Sequence, residues 1–456
     1  MSNQPFQTSS PPSQLESLRR LLTEVHQTNA FYQQLWNGIR PPEGQVELAT
    51  FQKLYPLLTK SALTRDQELH PPFGSNFTYS IDHFTRCHQT SGTSGKPIRW
   101  LDTNQSWSEL IDQWVEVFRA AGVQSHDAVF CAFSFGPFLG FWLAFEAATR
   151  MGCLTHPGGG LSSIARLHFI LESGSTVLCC TPTYALRLAQ VADDENIDLK
   201  HSKVRLIIVA GEPGGSVPAT RNLIQSRWPG TRVFDHHGMT EVGPVTYECP
   251  NHVGRLHILD HAYLSEVIDP ETHQPVPPGE VGELVLTTLL RVPSPAIRYR
   301  TGDLVRLHSG FAATQSEKVD LCTCGSSRSS LEGGILGRAD QMVVVRGVNV
   351  YPSAIESLVR ALPNIGEYAV NFSQTQGMLE MQIQIEGLTQ SSALKSTAAE
   401  LADKIKDHLN LRAEVICVDF GTLPRFEMKA KRWNLGSNSS VGRQTVAPQT
   451  FAKAKA

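Results

Sequence analysis

Apolar residues in the first half of the chain recur at two spacings, one helical and one typical of strands. Near the N-terminus, a helix over residues 14–36 is predicted by the spacing of Leu15, Leu18, Leu21, Leu22 and Val25. Further along, the predicted helices are 107–121, 141–151, 164–173 and 182–195, and the predicted strands are 128–134, 153–156, 176–180 and 204–210. This alternation predicts a mostly parallel sheet covered by helices, with ligands at the carboxyl ends of its strands.

The pattern changes after residue 245. Strand-like segments at 266–268 and 283–288 flank the turn residues 277–279, which predicts an antiparallel or barrel-like subdomain. The last elements are predicted strands at 342–346, 381–385 and 413–418 and predicted helices at 353–361 and 393–409. The predicted fold class is therefore α/β. It has a large N-terminal domain (1–339) of mostly parallel sheets with helices and a barrel-like subdomain, a small α+β C-terminal domain (340–435), and an unstructured tail (436–456).

Composition narrows the class of protein without naming a chemistry. The 456 residues carry a net charge of -3, so no basic excess points to nucleic acid or to an anionic membrane. The N-terminus lacks a signal-peptide pattern and the apolar runs are too short to span a bilayer, so we expect a cytoplasmic protein. Nine cysteines, an odd number, favour reduced thiols over a disulfide framework.

One loop offers the groups that bind phosphate. Its candidate residues are Thr90, Ser91, Gly92, Thr93, Ser94, Gly95 and Lys96. Hydroxyls and backbone N–H groups donate to phosphate oxygens, glycines allow close approach, and lysine adds a positive charge. Only two residues separate Gly92 from Gly95 and Pro97 follows Lys96, so the loop is not a Walker motif and is expected to join two strands, with 98–101 as the second. Taken alone, such a stretch is more often a surface turn.

Four more polar segments follow this loop in order, and the first three contain glycine. They are 236–243, 299–303, 337–342 with 346–352, and 423–429. Together the five segments resemble the adenylate-forming superfamily of acyl-CoA synthetases, peptide-synthetase adenylation domains and luciferases. The segment GRADQMVVVRGVNVYPSAIE, which begins at Gly337, is most similar to the phenylacetate-CoA ligase branch. The resemblance as a whole spans about residues 80–432.

The resemblance implies an ATP site. The loop from Thr90 to Lys96 would hold the β- and γ-phosphates, Thr240 would donate to the α-phosphate, and Glu241 would bind Mg²⁺. Lys429 would bridge the substrate carboxylate and the α-phosphate, and Asp303 would accept both ribose hydroxyls. The adenine would be bordered by Gly211, Glu212 and Pro213 and by Asp235, His236, His237, Gly238 and Met239. Arg338 would reach the ribose or phosphate, and Gly347 and Val348 would line the pantetheine tunnel of coenzyme A. The resemblance also implies that the small C-terminal domain is mobile, and Asp340 matches the hinge about which it would rotate.

The implied reaction has two steps. A carboxylate attacks the α-phosphate of ATP and releases pyrophosphate, and a thiol then attacks the acyl-adenylate and releases AMP. The aromatic turn 133–138, with Phe135 and Phe138, faces the strand end at Ala210 and Gly211 in this interpretation, which favours a benzoate, anthranilate or phenylacetate type of acid. His236 or His237 is a candidate for hydrogen bonding a ring substituent. Relatives allow either a monomer or a homodimer.

Two departures from the family pattern affect the site. The residue before the catalytic lysine is Met428 where glycine is usual, so the loop is expected to differ in shape and Lys431 competes for the role. His237 stands where many relatives have an adenine-stacking aromatic residue. Three rival functions stay open: an enzyme that loads a carrier protein, a degenerate acyl-adenylate-binding protein, and an ordinary phosphate-loop ATPase, which would yield ADP and not AMP.

A second cluster has the donor types of a metal site. Cys322 and Cys324 are separated by one residue, and Cys249 and His257 lie eight residues apart. Three thiolates and one imidazole complete a closed tetrahedral Zn²⁺ site, which would be structural. His252 competes with His257, which we prefer because 256–258 is predicted to be a strand. Four unrelated reduced side chains are the alternative.

Overall fold

The structure of the chain is a computed structural model that describes residues 13–90, 96–308, 321–346, 348–375, 378–390, 394–426 and 429–434. These residues form two compact units. The larger unit contains the residues up to Met342 with Tyr351–Ala361 and Phe426–Ala430, and the smaller contains Val343–Val350, Leu362–Arg425 and the residues from Lys431 onward. The tail predicted from residue 436 lies outside the described residues.

Helices form the N-terminal part of the larger unit. They are α1 (Gln14–Thr28), α2 (Ala30–Leu35), α3 (Leu48–Leu54) and α4 (Lys60–Leu69). The prediction of one continuous helix over 14–36 was wrong at Asn29. That residue ends α1 and caps α2, because its side-chain oxygen accepts a hydrogen bond from the Tyr32 N–H at 3.2 Å.

The parallel sheet predicted for the first half of the chain is confirmed. Two elements precede this sheet in the chain. The first is an antiparallel hairpin of β1 (Phe84–Gln89) and β2 (Arg99–Thr103), whose strands flank the glycine-rich loop, and the second is the helix α5 (Asn104–Ala120). The sheet then alternates β3 (Ala128–Cys131), α6 (Leu139–Arg150), β4 (Leu154–Pro157), α7 (Ser163–Ser173), β5 (Val177–Cys180), α8 (Pro182–Asp194), β6 (Leu206–Val209), α9 (Pro218–Arg227) and β7 (Arg232–Asp235). Its strands are parallel in the order β4-β3-β5-β6-β7, and β5 and β6 are buried along their whole length.

Antiparallel pairing takes over after residue 237, as the change in pattern predicted. The strands are β8 (Gly238–Met239), β9 (Gly243–Pro244), β10 (Thr246–Cys249), β11 (His252–Ile258), β12 (Tyr263–Ile268), β13 (Val281–Thr288), β14 (Tyr299–Arg306), β15 (Ser330–Glu332) and β16 (Gly337–Arg338). They form three sheets, β8-β9, β10-β11-β15 and β12-β13-β14-β16. Strands β10 and β11 carry two of the four candidate zinc ligands, and β14 carries Asp303.

The smaller unit is the α+β arrangement that the sequence predicts. Its elements are β17 (Val343–Val345), β18 (Val348–Val350), β19 (Ile365–Thr375), β20 (Met378–Gly387), α11 (Lys395–Leu409), β21 (Glu414–Val418) and β22 (Trp433–Asn434), while α10 (Pro352–Arg360) groups with the larger unit. Strand β19, which the sequence pattern missed, pairs antiparallel with β20 over almost its full length. Short 3-10 helices occur at Ile81–His83, Leu199–His201 and Ala339–Gln341. Among the described helices, none has the length and apolar character needed to cross a bilayer.

Candidate active site

The turns that follow β6 and β7 lie at the carboxyl end of the parallel sheet. Gly211, Glu212 and Pro213 come soon after β6, and Asp235 is the last residue of β7. Gly211 has φ +93°, a left-handed value at which a side chain would be strained. A Cβ atom at Gly215 would lie 2.3 Å from Asp235 Oδ1, so the first turn lies directly against the end of β7. Several of the predicted nucleotide residues therefore stand at adjacent strand ends.

Asp235 and His236 are buried and hydrogen bonded within the fold. Burial raises the pKa of Asp235 to about 6 and lowers the pKa of His236 to about 3. The Ser216 hydroxyl donates to Asp235 at 2.5 Å, and His236 Nδ1 lies 2.5 Å from the Thr246 carbonyl oxygen. The neutral imidazole of His236 therefore donates from Nδ1, which fixes its tautomer.

The described ends of the glycine-rich loop show how the hairpin closes. Thr90 is buried, its N–H donates to the Ile98 carbonyl at 2.9 Å, and its hydroxyl accepts from the Ile98 N–H at 3.0 Å. Lys96 is exposed, and its ammonium group lies 2.8 Å from Glu68 Oε1. The predicted residues Ser91, Gly92, Thr93, Ser94 and Gly95 lie outside the described residues.

The Thr240–Glu241 turn is held by a buried arginine that the sequence analysis missed. Arg291 NH1 donates to the carbonyl oxygens of Thr240 and Glu241, at 2.9 and 3.1 Å. The same guanidinium group forms two hydrogen bonds with Asp102, of 2.8 and 2.5 Å, and both side chains are buried. Because Arg291 holds both carbonyl groups from one side, the turn has a fixed backbone.

The Glu241 carboxylate has two partners of its own. Tyr299 donates its hydroxyl to Glu241 Oε1 at 3.2 Å, and Lys60 Nζ lies 3.6 Å from the same oxygen. Burial and the charge of Glu241 raise the pKa of Tyr299 well above its usual value, which keeps the phenol protonated as the donor. Glu241 is 7 % exposed, so its carboxylate is largely withdrawn from solvent.

Asp303 lies between His237 and Arg338. His237 Nε2 donates to one carboxylate oxygen at 2.8 Å, and Arg338 NH1 donates to the other at 3.0 Å. Burial opposes ionisation, but the hydrogen bond and charge of His237 and the charges of Arg338 and Lys429 hold the pKa of Asp303 below its usual range. Each oxygen accepts one of these hydrogen bonds, which leaves acceptor capacity on both. Arg338 also donates to Asp340, at 2.9 and 3.1 Å.

Lys429 lies in the larger unit, close to the three carboxylates of the site. A Cβ atom at Gly211 would lie 3.3 Å from Lys429 Cε, so this glycine leaves the space that the lysine stem fills. Lys429 keeps an exposed side-chain surface. The surrounding protein nevertheless lowers its pKa by partial desolvation, and the charges of Glu212, Asp303 and Glu241 oppose that shift. Met428 lies outside the described residues, and Lys431 is exposed and belongs to the smaller unit.

An aromatic cavity of about 590 Å³ opens beside the sheet. Its walls come from the turn after β3, from α6 and from the loop after β4, and include Phe135, Trp142 and Phe145. The Phe135 ring contacts Trp142 edge-on, with centroids 5.0 Å apart, and Phe145 at 5.5 Å. The predicted pocket residues Phe138, Ala210, Gly211 and His237 are not among the described residues that line this cavity.

A second cluster joins four cysteine and histidine side chains from distant parts of the chain. The ligand atoms of Cys249, His257, Cys322 and Cys324 all lie within 4.8 Å of one another. Cys249 Sγ lies 3.6 Å from Cys322 Sγ, and Cys324 Sγ lies 3.3 Å from His257 Nε2. Two thiolates about 2.3 Å from a tetrahedral zinc ion lie about 3.8 Å apart, so these separations fit such an ion.

The histidine of the cluster is His257 and not His252. His257 is fully buried in β11, and its Nδ1 lies 3.4 Å from the Arg328 carbonyl oxygen, on the side away from the thiols. A backbone carbonyl in that position is a common partner of a metal-binding imidazole. His252 Nε2 instead lies 2.8 Å from the Thr323 hydroxyl.

Of the residues assigned to the coenzyme A tunnel, Val348 begins β18 in the smaller unit. Gly347 lies outside the described residues.

Two protein-family models match the chain. Residues 87–289 match the AMP-binding enzyme family, and residues 347–434 match the AMP-binding enzyme C-terminal domain. The first match contains the glycine-rich loop, the parallel sheet and the Thr240–Glu241 turn.

Curated relatives and solved structures match nearly the whole chain. It is 30% identical to a phenylacetate-coenzyme A ligase of Pseudomonas putida, with 91% of the chain and 92% of the relative covered. It is 29% identical to the enzyme of that name from Thermus thermophilus, covering 91% and 93%. A crystal structure of 2-hydroxyisobutyryl-CoA ligase in the postadenylation state, in complex with R3-HIB-AMP, matches with a TM-score of 0.85 at 25% identity and covers 93% of this chain and 89% of that one.

Proposed function

Because the chain belongs to the phenylacetate-CoA ligase-like branch of the adenylate-forming superfamily, we propose that it activates an aromatic carboxylic acid. It is an AMP-forming acid–thiol ligase, which uses ATP to form an acyl-AMP intermediate and then the CoA thioester. The finer proposal is an acid of the benzoate, anthranilate or phenylacetate type. Its site residues, described below, are part of the same proposal.

The aromatic cavity is the observation that carries this substrate class. Phe135, Trp142 and Phe145 present ring faces and edges that suit a flat ring through offset or edge-to-face contacts. The Trp142 indole N–H donates to the Gly136 carbonyl at 3.0 Å, which fixes the orientation of that wall. The cavity volume of about 590 Å³ exceeds what one aryl acid needs, so the substrate would occupy part of it.

In the proposed first step, a carboxylate oxygen of the acid attacks the α-phosphorus of ATP and pyrophosphate leaves. The Lys429 ammonium group and the Thr240 hydroxyl offset the charge that develops on the α-phosphate oxygens. The loop from Thr90 to Lys96 holds the departing phosphates. Asp303 accepts the ribose hydroxyls with the acceptor capacity that His237 and Arg338 leave on its two oxygens.

Glu241 is the proposed Mg²⁺ ligand. Its carboxylate is a hard oxygen donor in a largely buried position, which is the type of group that Mg²⁺ prefers. When bound, the ion supplies charge neutralisation to the phosphate oxygens. Lys60 and Tyr299 limit the freedom of this carboxylate, so the turn presents it in a fixed direction.

In the second step, the thiol of CoA attacks the acyl carbonyl and AMP leaves. Gly347 and Val348 are proposed to form a wall of the tunnel for its pantetheine arm. Asp340 is proposed as the hinge about which the C-terminal domain rotates between the two steps of the reaction. Free CoA is the thiol acceptor that this family assignment favours. A carrier-protein thiol requires the same chemistry and is an outcome of the experiment below.

The cluster of Cys249, His257, Cys322 and Cys324 is proposed to bind a structural Zn²⁺ ion. Four donors of the preferred types converge within 4.8 Å, and no fifth His, Cys, Asp or Glu side chain joins them among the described residues. Four protein ligands fill a tetrahedral coordination sphere, so such an ion has no open position for substrate. It would join the β10–β11 hairpin to the segment that carries Cys322 and Cys324.

The test is a panel of aryl and alkyl carboxylates with ATP and CoA, read by AMP release and thioester formation. We expect aryl acids to give the highest kcat/KM, with benzoate-, anthranilate- and phenylacetate-type acids compared against 2-hydroxyisobutyrate. Preference for the alkyl acids would overturn the aromatic class. AMP release without CoA thioester would favour a carrier-protein acceptor, and ADP as the product would exclude the proposed chemistry.

A further inference from the structure

Both carboxylate oxygens of Glu212 accept hydrogen bonds from backbone N–H groups that are far apart in sequence. Oε1 accepts from the Thr183 N–H at 2.9 Å, and Oε2 accepts from the Ala430 N–H at 3.0 Å. Thr183 lies in the first turn of α8, and Ala430 directly follows Lys429. Glu212 thus bridges the start of a helix and the lysine segment within the larger unit.

The helix side of this bridge is rigid. Pro182 occupies the first position of α8 and has no N–H, and the Thr181 hydroxyl accepts from the Tyr184 N–H at 3.1 Å. Thr183 supplies the remaining donor of the first turn, and Glu212 accepts it. A Cβ atom at Gly214 would lie 2.7 Å from Pro182 Cβ, so the turn that carries Glu212 packs directly on the start of α8.

The other side of the bridge fixes the backbone beside Lys429. The lysine stem lies over Gly211, the residue before Glu212, where a Cβ atom would come within 3.3 Å of Lys429 Cε. Glu212 also contributes the foremost of the negative charges that oppose the lowering of the Lys429 pKa by partial desolvation. Glu212 thus acts on Lys429 in two ways, through its hydrogen bond to the backbone of Ala430 and through its own negative charge.

We propose that Glu212 is a positioning residue for Lys429, because its carboxylate ties the backbone at Ala430 to the start of α8. This role rests on the proposed role of Lys429 in adenylate formation, and it comes in addition to the expected position of the Glu212 turn beside adenine. With one oxygen on each backbone N–H group, the carboxylate sets the distance of the lysine segment from the sheet edge. The ammonium group then stands where the acyl carboxylate meets the α-phosphate.

The experiment compares the two half-reactions in Glu212→Ala and Glu212→Gln. Adenylation is measured by ATP–pyrophosphate exchange, and thioester formation by supplying synthetic acyl-AMP with CoA. We expect Glu212→Ala to lower kcat of exchange by about 10²-fold, the loss typical of a catalytic group displaced by about 1 Å. The KM for ATP and the rate from acyl-AMP should stay near wild type. Glutamine keeps one acceptor oxygen, so its loss should be intermediate.

Thr181→Ala is the matched control, since it removes the other side-chain acceptor at the start of α8 without touching Ala430. It should lower the melting temperature as Glu212→Ala does, but leave the ratio of the half-reactions unchanged. The positioning role would be overturned if each Glu212 variant lost adenylation and thioester formation to the same extent. It would also be overturned if the variants raised the KM for ATP and left kcat unchanged. A wild-type protein without pyrophosphate exchange would instead refute the proposed function on which it rests.

Discussion

The nucleotide site and the Cys/His cluster are both built from distant segments of the chain. They differ in how much hydrogen-bonding capacity their side chains retain for a ligand. At the nucleotide site, Asp303 accepts one hydrogen bond on each oxygen and retains acceptor capacity on both. In the cluster, the donor atoms of Cys249, His257, Cys322 and Cys324 face one another. The contrast teaches that a site for turnover is expected to keep capacity for its substrate, whereas four converging donors are the set expected of a closed metal site.

The largest expected effect comes from removing the lysine of the nucleotide site. Lys429→Ala should lower pyrophosphate exchange by about 10²–10³-fold, because it removes the group proposed to offset transition-state charge. Thioester formation from supplied acyl-AMP should be little changed. Lys431→Ala is the matched control, since Lys431 is exposed and lies in the smaller unit. If Lys431→Ala gave the larger loss, the lysine would have been misassigned.

Substitutions in the Cys/His cluster should lower the stability of the protein, but should leave the ratio of the two half-reaction rates unchanged. We expect about one zinc ion per purified chain by metal analysis. Cys249→Ser should lower both the metal content and the melting temperature, because four ligands would become three. Cys417→Ser provides the control, since Cys417 is exposed and outside the cluster. Zinc-free wild-type protein with an unchanged melting temperature would refute the structural metal.

A smaller effect is expected at His237, where stacking and hydrogen bonding can be separated. His237→Phe keeps a ring but removes the donor to Asp303, and His237→Gln keeps a donor at a similar reach but removes the ring. If the hydrogen bond orients Asp303 for the ribose, the phenylalanine variant should raise the KM for ATP about 10-fold, and glutamine should restore part of it. The reverse order would show that the ring itself supplies the binding.

The smallest effect is a change in pH dependence. The proposed adenylation step requires the charged form of Lys429, and partial desolvation by the surrounding protein lowers its pKa. The rate of exchange should therefore fall on the alkaline side at a lower pH than a lysine fully surrounded by solvent would give. Thioester formation from acyl-AMP should lack this decline. The same alkaline decline in both half-reactions would assign it to another group.

Much of the fold could be predicted because its signals are local. The alternation of helices and strands from residue 105 to 210, with errors of a few residues at the ends, follows from periodicity in short windows. The break at Asn29 was missed because a cap uses one side chain within an unbroken apolar pattern. Strand β19 was missed as well, and its identity as a strand depends on pairing with β20.

The sequence by itself determined the family, the α/β class and the candidate chemistry, including the choice of His257 over His252. Motif residues carry those signals at fixed spacing along the chain. Only the tertiary structure decided which groups hold the motifs in place. Arg291 reaches Asp102 across 189 residues, and Glu212 reaches Ala430 across 218. Such contacts leave no periodic trace in a sequence, because they arise when the packed core brings distant turns to one edge of the sheet.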